Sequence, residues 1–224
     1  MNASVPPMPR VRLVVLAALS LVFSACTALP ERQPDRAAFR ASRPRSILVL
    51  PPVNRSPDVE ATRSLLSVTT RPLAEAGYYV IPVTLADETF RQNGVTVADE
   101  AHAIDLPRLR QIFGADAGLY VTINRYGVSY RLIDSVVETS ASARLVDLRN
   151  GQELWRGSVH VSVGNDDNSG SLVGMLLNAV ISQVVNSATD RAHVVAGAAS
   201  QRLLSAGRGN GLLYGPYHPE YAAD

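Results

Sequence analysis

One cysteine, no lysine and no membrane-length apolar run are the main absences in this 224-residue sequence. A single cysteine, Cys26, cannot form a disulfide within the chain, so in an oxidising compartment it needs another use. All 21 basic residues are arginine, which reads as GC-rich coding more than as chemistry. The apolar run near the start, Leu13 to Phe23, has eleven residues, whereas a spanning helix needs about 20. The whole chain carries a formal charge of +1, and losing Arg10 and Arg12 with a leader would leave it one charge negative. A near-neutral chain has no general electrostatic drive towards nucleic acid. No internal repeat with a period of about 20–50 residues is present. There is no Gly-x-Ser-x-Gly nucleophile elbow either.

What the start of the chain does contain is an export pattern. Arg10 and Arg12 form a positive segment, Leu13 to Phe23 the apolar segment, and Ser24-Ala25 a small pair suited to cleavage. Phe23-Ser24-Ala25-Cys26 resembles the bacterial lipobox, with Phe23 in place of the preferred Leu. That resemblance implies that Cys26 becomes the first residue of the mature chain and carries fatty acyl chains such as palmitate. Several chains on one residue anchor firmly, whereas one alone is marginal. Thr27 follows instead of Asp, which by the same resemblance points to the outer membrane.

The rest divides into segments. Residues 1–25 are expected to be a signal peptide and 26–45 an acylated cysteine with a flexible tether. Residues 46–206 are expected to form an α/β domain and 207–224 a Gly/Pro/Tyr-rich tail. The tether has five arginines punctuated by Pro30, Pro34 and Pro44, and its 19 residues from Thr27 to Arg45 reach at most ~60 Å. Its composition cannot bury enough apolar area to fold alone. Its arginines either solvate it or lie on anionic headgroups.

In the domain, Ile47-Leu48-Val49-Leu50 reads as a strand buried on both faces. Ser56-Pro57 opens a helix that runs to Ala76 and stops at Gly77. Pro72 lies inside it and predicts a kink or break near Thr70. Tyr78 to Val83 is the next strand. Thr84 caps a helix ending at Asn93-Gly94, and Asp105 caps another ending at Gly114. Leu119, Val121 and Ile123 alternate as a half-buried strand. On a long arm from about Gly127 to Asp147, Val137, Thr139, Ala141, Ala143 and Leu145 share one face. Asn150-Gly151 predicts a type I′ hairpin into a strand from Glu153 to Val163. A polar turn at Gly164–Gly170, an apolar helix over Leu172–Val185 and a second helix to about Ser205 complete the domain. The fold class expected is α/β: a mixed sheet with an antiparallel hairpin, helices packed on it and C-terminal helices.

Six stretches together carry a family resemblance. They are Ile47-Leu-Val-Leu-Pro-Pro52, Thr70-Arg-Pro-Leu-Ala-Glu-Ala-Gly-Tyr-Tyr-Val80, Asp87-Glu-Thr-Phe-Arg-Gln-Asn-Gly94, Ile112-Phe-Gly-Ala-Asp-Ala117, Leu145-Val-Asp-Leu148 and Gly215-Pro-Tyr-His-Pro219. The chain is similar over nearly its whole mature length to Gram-negative lipoproteins filed as domain of unknown function 799. The resemblance implies a fold like the amino-terminal domain of the Tol-system propeller protein and the periplasmic domain of the curli secretion lipoprotein. It also implies a role in an envelope assembly or export complex, and it carries over no catalytic residue.

The residues themselves offer weak chemistry. Asp99, Glu100, His102 and Asp105 are the most metal-like cluster, but a zinc site would need geometry and a further ligand. Asn165-Asp-Asp-Asn-Ser-Gly170 has Leu176 where a calcium loop needs its bidentate Glu. Gly207-Arg-Gly-Asn-Gly211 follows a helix and lacks dinucleotide spacing. His160 reads as a solvated strand residue, and a triad through His193 or His218 has no supporting motif. Asp87-Glu88 fit a helix start better than a glycan-cleaving pair.

The expectation is a non-enzymatic accessory lipoprotein without cofactor or metal. It would be anchored to the outer membrane, with its domain in the periplasm or at the cell surface. Its partners would be the bilayer through Cys26 and other envelope lipoproteins or secretion proteins, with homo-oligomerisation left open. Alternatives are a subunit of a curli-secretion-like pore and a cell-wall hydrolase. Tyr214, Tyr217, His218 and Tyr221 are the candidate partner-binding residues, because tyrosine offers a rigid ring with a polar tip. The competing reading has the same tail fold back on its own domain.

Overall fold

The computed structural model describes residues 36–130, 135–164, 188–207 and 209–221. Cys26 with the expected signal peptide, all but the first residue of the expected polar turn Gly164–Gly170 and the expected helix over Leu172–Val185 lie outside them. All the described residues fall in one compact unit.

The fold is an open mixed sheet of six strands with helices packed on it and a C-terminal helix. Strand β1 (Ser46–Val49) runs parallel to both its neighbours, β3 (Tyr79–Val80) and β4 (Ala117–Tyr130). The short β2 (Val53–Asn54) runs beside the middle of β4. Antiparallel pairing then adds β5 (Ser135–Asp147) and β6 (Glu153–Gly164), giving the order β3-β1-β4-β5-β6.

The unbroken apolar run in β1 means burial on both faces, and the packing shows it. Ile47 and Val49 join one core with helices α2 (Ala61–Glu75) and α6 (Ala188–Leu204). Leu48 and Leu50 join another with α3 (Val83–Gln92), α4 (Ala98–His102) and α5 (Leu106–Phe113). The arm on β5 also follows its two-residue period. Val137, Thr139, Ala141, Ala143 and Leu145 are all buried, and Ala192, Val195, Ala196 and Ala199 of α6 share their core. The other side of the arm shows exposed Arg125, Arg144, Arg156, Ser158 and His160. The apolar side of β5 is thus covered by a helix of the same chain, where a pore strand would turn it to lipid.

Four expectations change in detail. First, α2 passes through Pro72 as one helix. Proline removes the amide that would bond the Val68 carbonyl, and Ser200 Oγ of α6 donates to that carbonyl instead, at 3.2 Å. The orphaned acceptor is satisfied from the neighbouring helix, so the chain need not break.

Second, Ser56 does not cap α2, which starts at Ala61. Its amide and hydroxyl both donate to Asn54 Oδ1, at 2.8 and 2.7 Å, an Asx-type turn that spends the capping group locally. Likewise α3 begins before Thr84, with Pro82 at its cap.

Third, the β5–β6 connection is longer than a type I′ turn. Gly151 has φ +78°, but Asn150 does not have a positive φ. Asp147 O accepts from the Gly151 amide at 2.8 Å, and the Asp147 amide donates to Gln152 O at 2.9 Å. The cause is Asp147, 1% exposed, whose carboxylate accepts from the Arg149 amide and guanidinium and from Ser42 Oγ. Burial pushes this carboxyl up, but the Arg149 and Ser42 hydrogen bonds outweigh it and hold the group below its ordinary 3.8.

Fourth, the stretch expected as tether ends in a helix, α1 (Arg36–Ser42). Ala38 and Phe39 are buried, Phe39 at 4% exposure within the main core. Five arginines dominate the composition of 27–45, yet one adjacent apolar pair is enough to seat a short helix against a preformed sheet. Arg43, at φ +44°, ends α1, with its amide on Phe39 O at 3.1 Å.

Candidate docking surface

The tail after α6 is built into the domain by backbone bonds. Ala206 bridges Leu212, and Trp155 Nε1 donates to Asn210 O at 2.9 Å. Leu212 and Leu213 are buried, and Tyr78 Oη donates to Leu213 O at 2.6 Å. The Gly215 amide then donates to Ala76 O at 2.7 Å and the Tyr217 amide to Gly77 O at 3.1 Å. This contact needs glycine on both sides. Gly77 has φ +88°, and a Cβ there would lie 2.4 Å from His218 N. A Cβ on Gly215 would lie 2.3 Å from Gly77 O.

The four tail residues singled out above divide between two settings. Tyr214 stacks on His218 with centroids 4.1 Å apart and planes 13° from parallel. His218 Nδ1 accepts from the Glu220 amide at 3.1 Å, which places the ring proton on Nε2 when the ring is neutral. Tyr214 and Tyr221 line a groove of about 330 Å³ together with Phe39, Arg40, Arg43 and Tyr78. Tyr217 is not among the lining residues and is 68% exposed. Composition alone places the arginines of the groove in a tether. The available signal is spacing: Arg36 and Arg40 fall at i and i+4 on one side of α1, with Ala38 and Phe39 on another, and Arg43 follows just past its end.

The remaining chemistry-bearing groups have structural employment. Asp99 pairs with Arg55 at 2.5 Å. His102 Nε2 lies 3.0 Å from Pro51 O and its ring meets Tyr120 edge-on. Burial pushes His102 down, with Arg144 adding to the effect against the Pro51 hydrogen bond and Asp99. Arg144 sits 4.5 Å over the other partner of that contact, the Tyr120 ring. Among the described residues no group of three or more His, Cys, Asp or Glu could hold a metal ion. His160 lies 3.9 Å from Glu138, which Arg125 also approaches at 3.4 Å.

A serine–histidine pair not foreseen in the sequence joins Ser64 Oγ to His193 Nδ1 at 2.8 Å, while Tyr126 Oη donates to Ser64 Oγ at 2.7 Å. Ser64 lies in the first turn of α2, with its own amide on Glu60 O at 2.9 Å. The chain of hydroxyls ties β4, α2 and α6 together.

The family model described as "Putative lipoprotein GNA1162-like" matches residues 34–217. The chain belongs to the GNA1162-like lipoprotein family. The match takes in α1 and the docked tail as far as Tyr217. A Neisseria meningitidis serogroup B relative, "Putative lipoprotein NMB1124/NMB1162", is 48% identical over 204 residues, 91% of this chain and 95% of the relative. The crystal structure of lipoprotein GNA1162 from Neisseria meningitidis is 55% identical with a TM-score of 0.54, covering 64% of this chain and all of that one. The PelC dodecamer from Paraburkholderia phytofirmans aligns at 16% identity and a TM-score of 0.40, over 62% of this chain and 87% of that one. That similarity is too low to carry a functional argument. Among the described residues of this GNA1162-like chain no helix is long and apolar enough to cross a membrane.

Proposed function

We propose that the chain is a lipid-anchored envelope protein, acylated on Cys26, that docks protein partners of an envelope assembly or secretion complex without catalysing a reaction. Membership of a lipoprotein family supports the anchor, as does the small pair before the cysteine. Thr27 supports the outer membrane as its site. One observation carries the docking reading. The tail is fixed by backbone hydrogen bonds, yet it holds the Tyr217 ring out in solvent, 68% exposed. A large ring presented on a rigid mount loses little entropy when it is covered, which is how tyrosine earns its place at interfaces.

Two measurements test the two halves. Metabolic labelling with a fatty acid analogue should mark the native chain, while Cys26→Ser should lose the label and leave the membrane fraction. A photocrosslinking amino acid at position 217 should trap a discrete envelope protein. The same probe at exposed Arg91, on α3 across the sheet, should not. Identical crosslink patterns from both positions would refute docking through the tail.

A further inference from the structure

We propose that Arg40, Arg43 and Arg45, with the tyrosines beside them, form a face that lies on bilayer surfaces carrying anionic phospholipid headgroups. The proposal rests on the anchored reading above for its setting. It begins with how arginines are used in this chain. Arg55, Arg71, Arg91, Arg149 and Arg156 each hold a carboxylate. Arg40, Arg43 and Arg45 are exposed, and none of the three is ion-paired among the described residues; the Arg43 Nε bond goes to a backbone carbonyl, Arg40 O. Arg108, Arg110, Arg144 and Arg202 are also exposed and without an ion pair among the described residues; what sets Arg40, Arg43 and Arg45 apart is that they lie on the anchor side of the domain, beside a groove with aromatic walls.

The surroundings specify an anion with an apolar neighbour. The groove between α1 and the tail sets Arg40 and Arg43 beside the half-buried rings of Tyr214 and Tyr221, over a floor of buried Phe39 and Tyr78, with no carboxylate among its lining residues. Guanidinium forks match phosphate oxygens. Tyrosine favours the boundary between headgroups and acyl chains.

The chain length supplies the third argument. Arg36 lies ten residue steps after Cys26, so an acylated Cys26 would keep α1 within ~33 Å of its membrane. Headgroup attraction fades over about 8 Å at physiological salt. The anchor thus holds the patch at high effective concentration, where weak attraction is sufficient.

The test uses the mature chain with Cys26→Ser, exported behind an ordinary signal peptide so that it carries no acyl chain. Flotation is measured at low salt with vesicles of phosphatidylcholine alone and of phosphatidylcholine with equimolar phosphatidylglycerol. The chain should float with the anionic vesicles and not with the neutral ones. Each arginine near such a surface contributes about five-fold. Arg40→Ala/Arg43→Ala should therefore lower the partition coefficient on the order of 25-fold. Arg108→Ala/Arg110→Ala on α5, across the sheet, should leave it within about two-fold. Equal flotation with both vesicle types would overturn the proposal, as would equal losses in the two double variants. Failure of the acylation reading would appear separately, as an unlabelled native chain, and leaves this comparison intact.

Discussion

At the scale of single residues, the unusual event is a proline accommodated in mid-helix. Pro72 leaves the Val68 carbonyl without its i+4 amide, and Ser200 supplies a hydroxyl from α6. Ser200 is 2% exposed, so no solvent stands ready to replace it. Ser200→Ala should cost about 1–3 kcal/mol, the penalty for a buried acceptor left unpaired. In a Pro72→Ala background the restored amide can reach Val68 O, and the same Ser200→Ala change should then cost under about 1 kcal/mol. Urea unfolding of the four chains measures the coupling. Equal costs in both backgrounds would mean that the hydroxyl serves something other than the carbonyl. A kink at Pro72 was the reasonable expectation from sequence, because the compensating donor lies more than a hundred residues away.

At the scale of elements, the docked tail depends on a near contact between two backbones. Gly77→Ala introduces a Cβ 2.4 Å from His218 N at a φ of +88°. The obstacle is backbone, which cannot rotate aside, and the φ alone disfavours an L-residue by roughly 1–2 kcal/mol. The expected cost exceeds about 3 kcal/mol, with the tail becoming the first site of proteolysis. Tyr217→Ala should stay within about 0.5 kcal/mol of wild type, since the ring is mostly exposed. If Gly77→Ala melts like wild type, the tail is not seated against the 76–78 segment in solution. The elements differ in how far sequence revealed them. β1 and β5 were readable because period and run length encode burial directly: Ile47 to Leu50 on two faces, Val137 to Leu145 on one. The seating of the tail was not, because Gly77 and Gly215 meet only in space. The same holds for the β5–β6 turn, where Asn150-Gly151 suggested a tight hairpin but Asp147, bound by Ser42 and Arg149, set a longer one.

At the scale of the whole molecule, the question is where the folded unit begins. Composition places a tether up to Arg45, but Phe39 is in the core and Ser42 Oγ reaches Asp147 at 2.7 Å. A chain starting at Pro34 should keep the wild-type stability, whereas one starting at Ser46 loses both contributions. Burial of a phenylalanine is worth about 1.5–3 kcal/mol, and the hydrogen bond to a carboxylate about 1.5–3 more. The two parts separate by pH. Because its hydrogen bonds hold Asp147 below its ordinary 3.8 in the folded state, they contribute fully above that value. Their contribution drains away as pH falls through the depressed folded value. The Phe39 part has no charge and does not change. Stability of the two chains, measured by urea unfolding at pH 7 and again near pH 3, should differ at both values but by less at the lower. A constant difference would remove Ser42 from the stability of the Asp147 site, and no difference at either pH would show that α1 is an appendage to a domain complete without it.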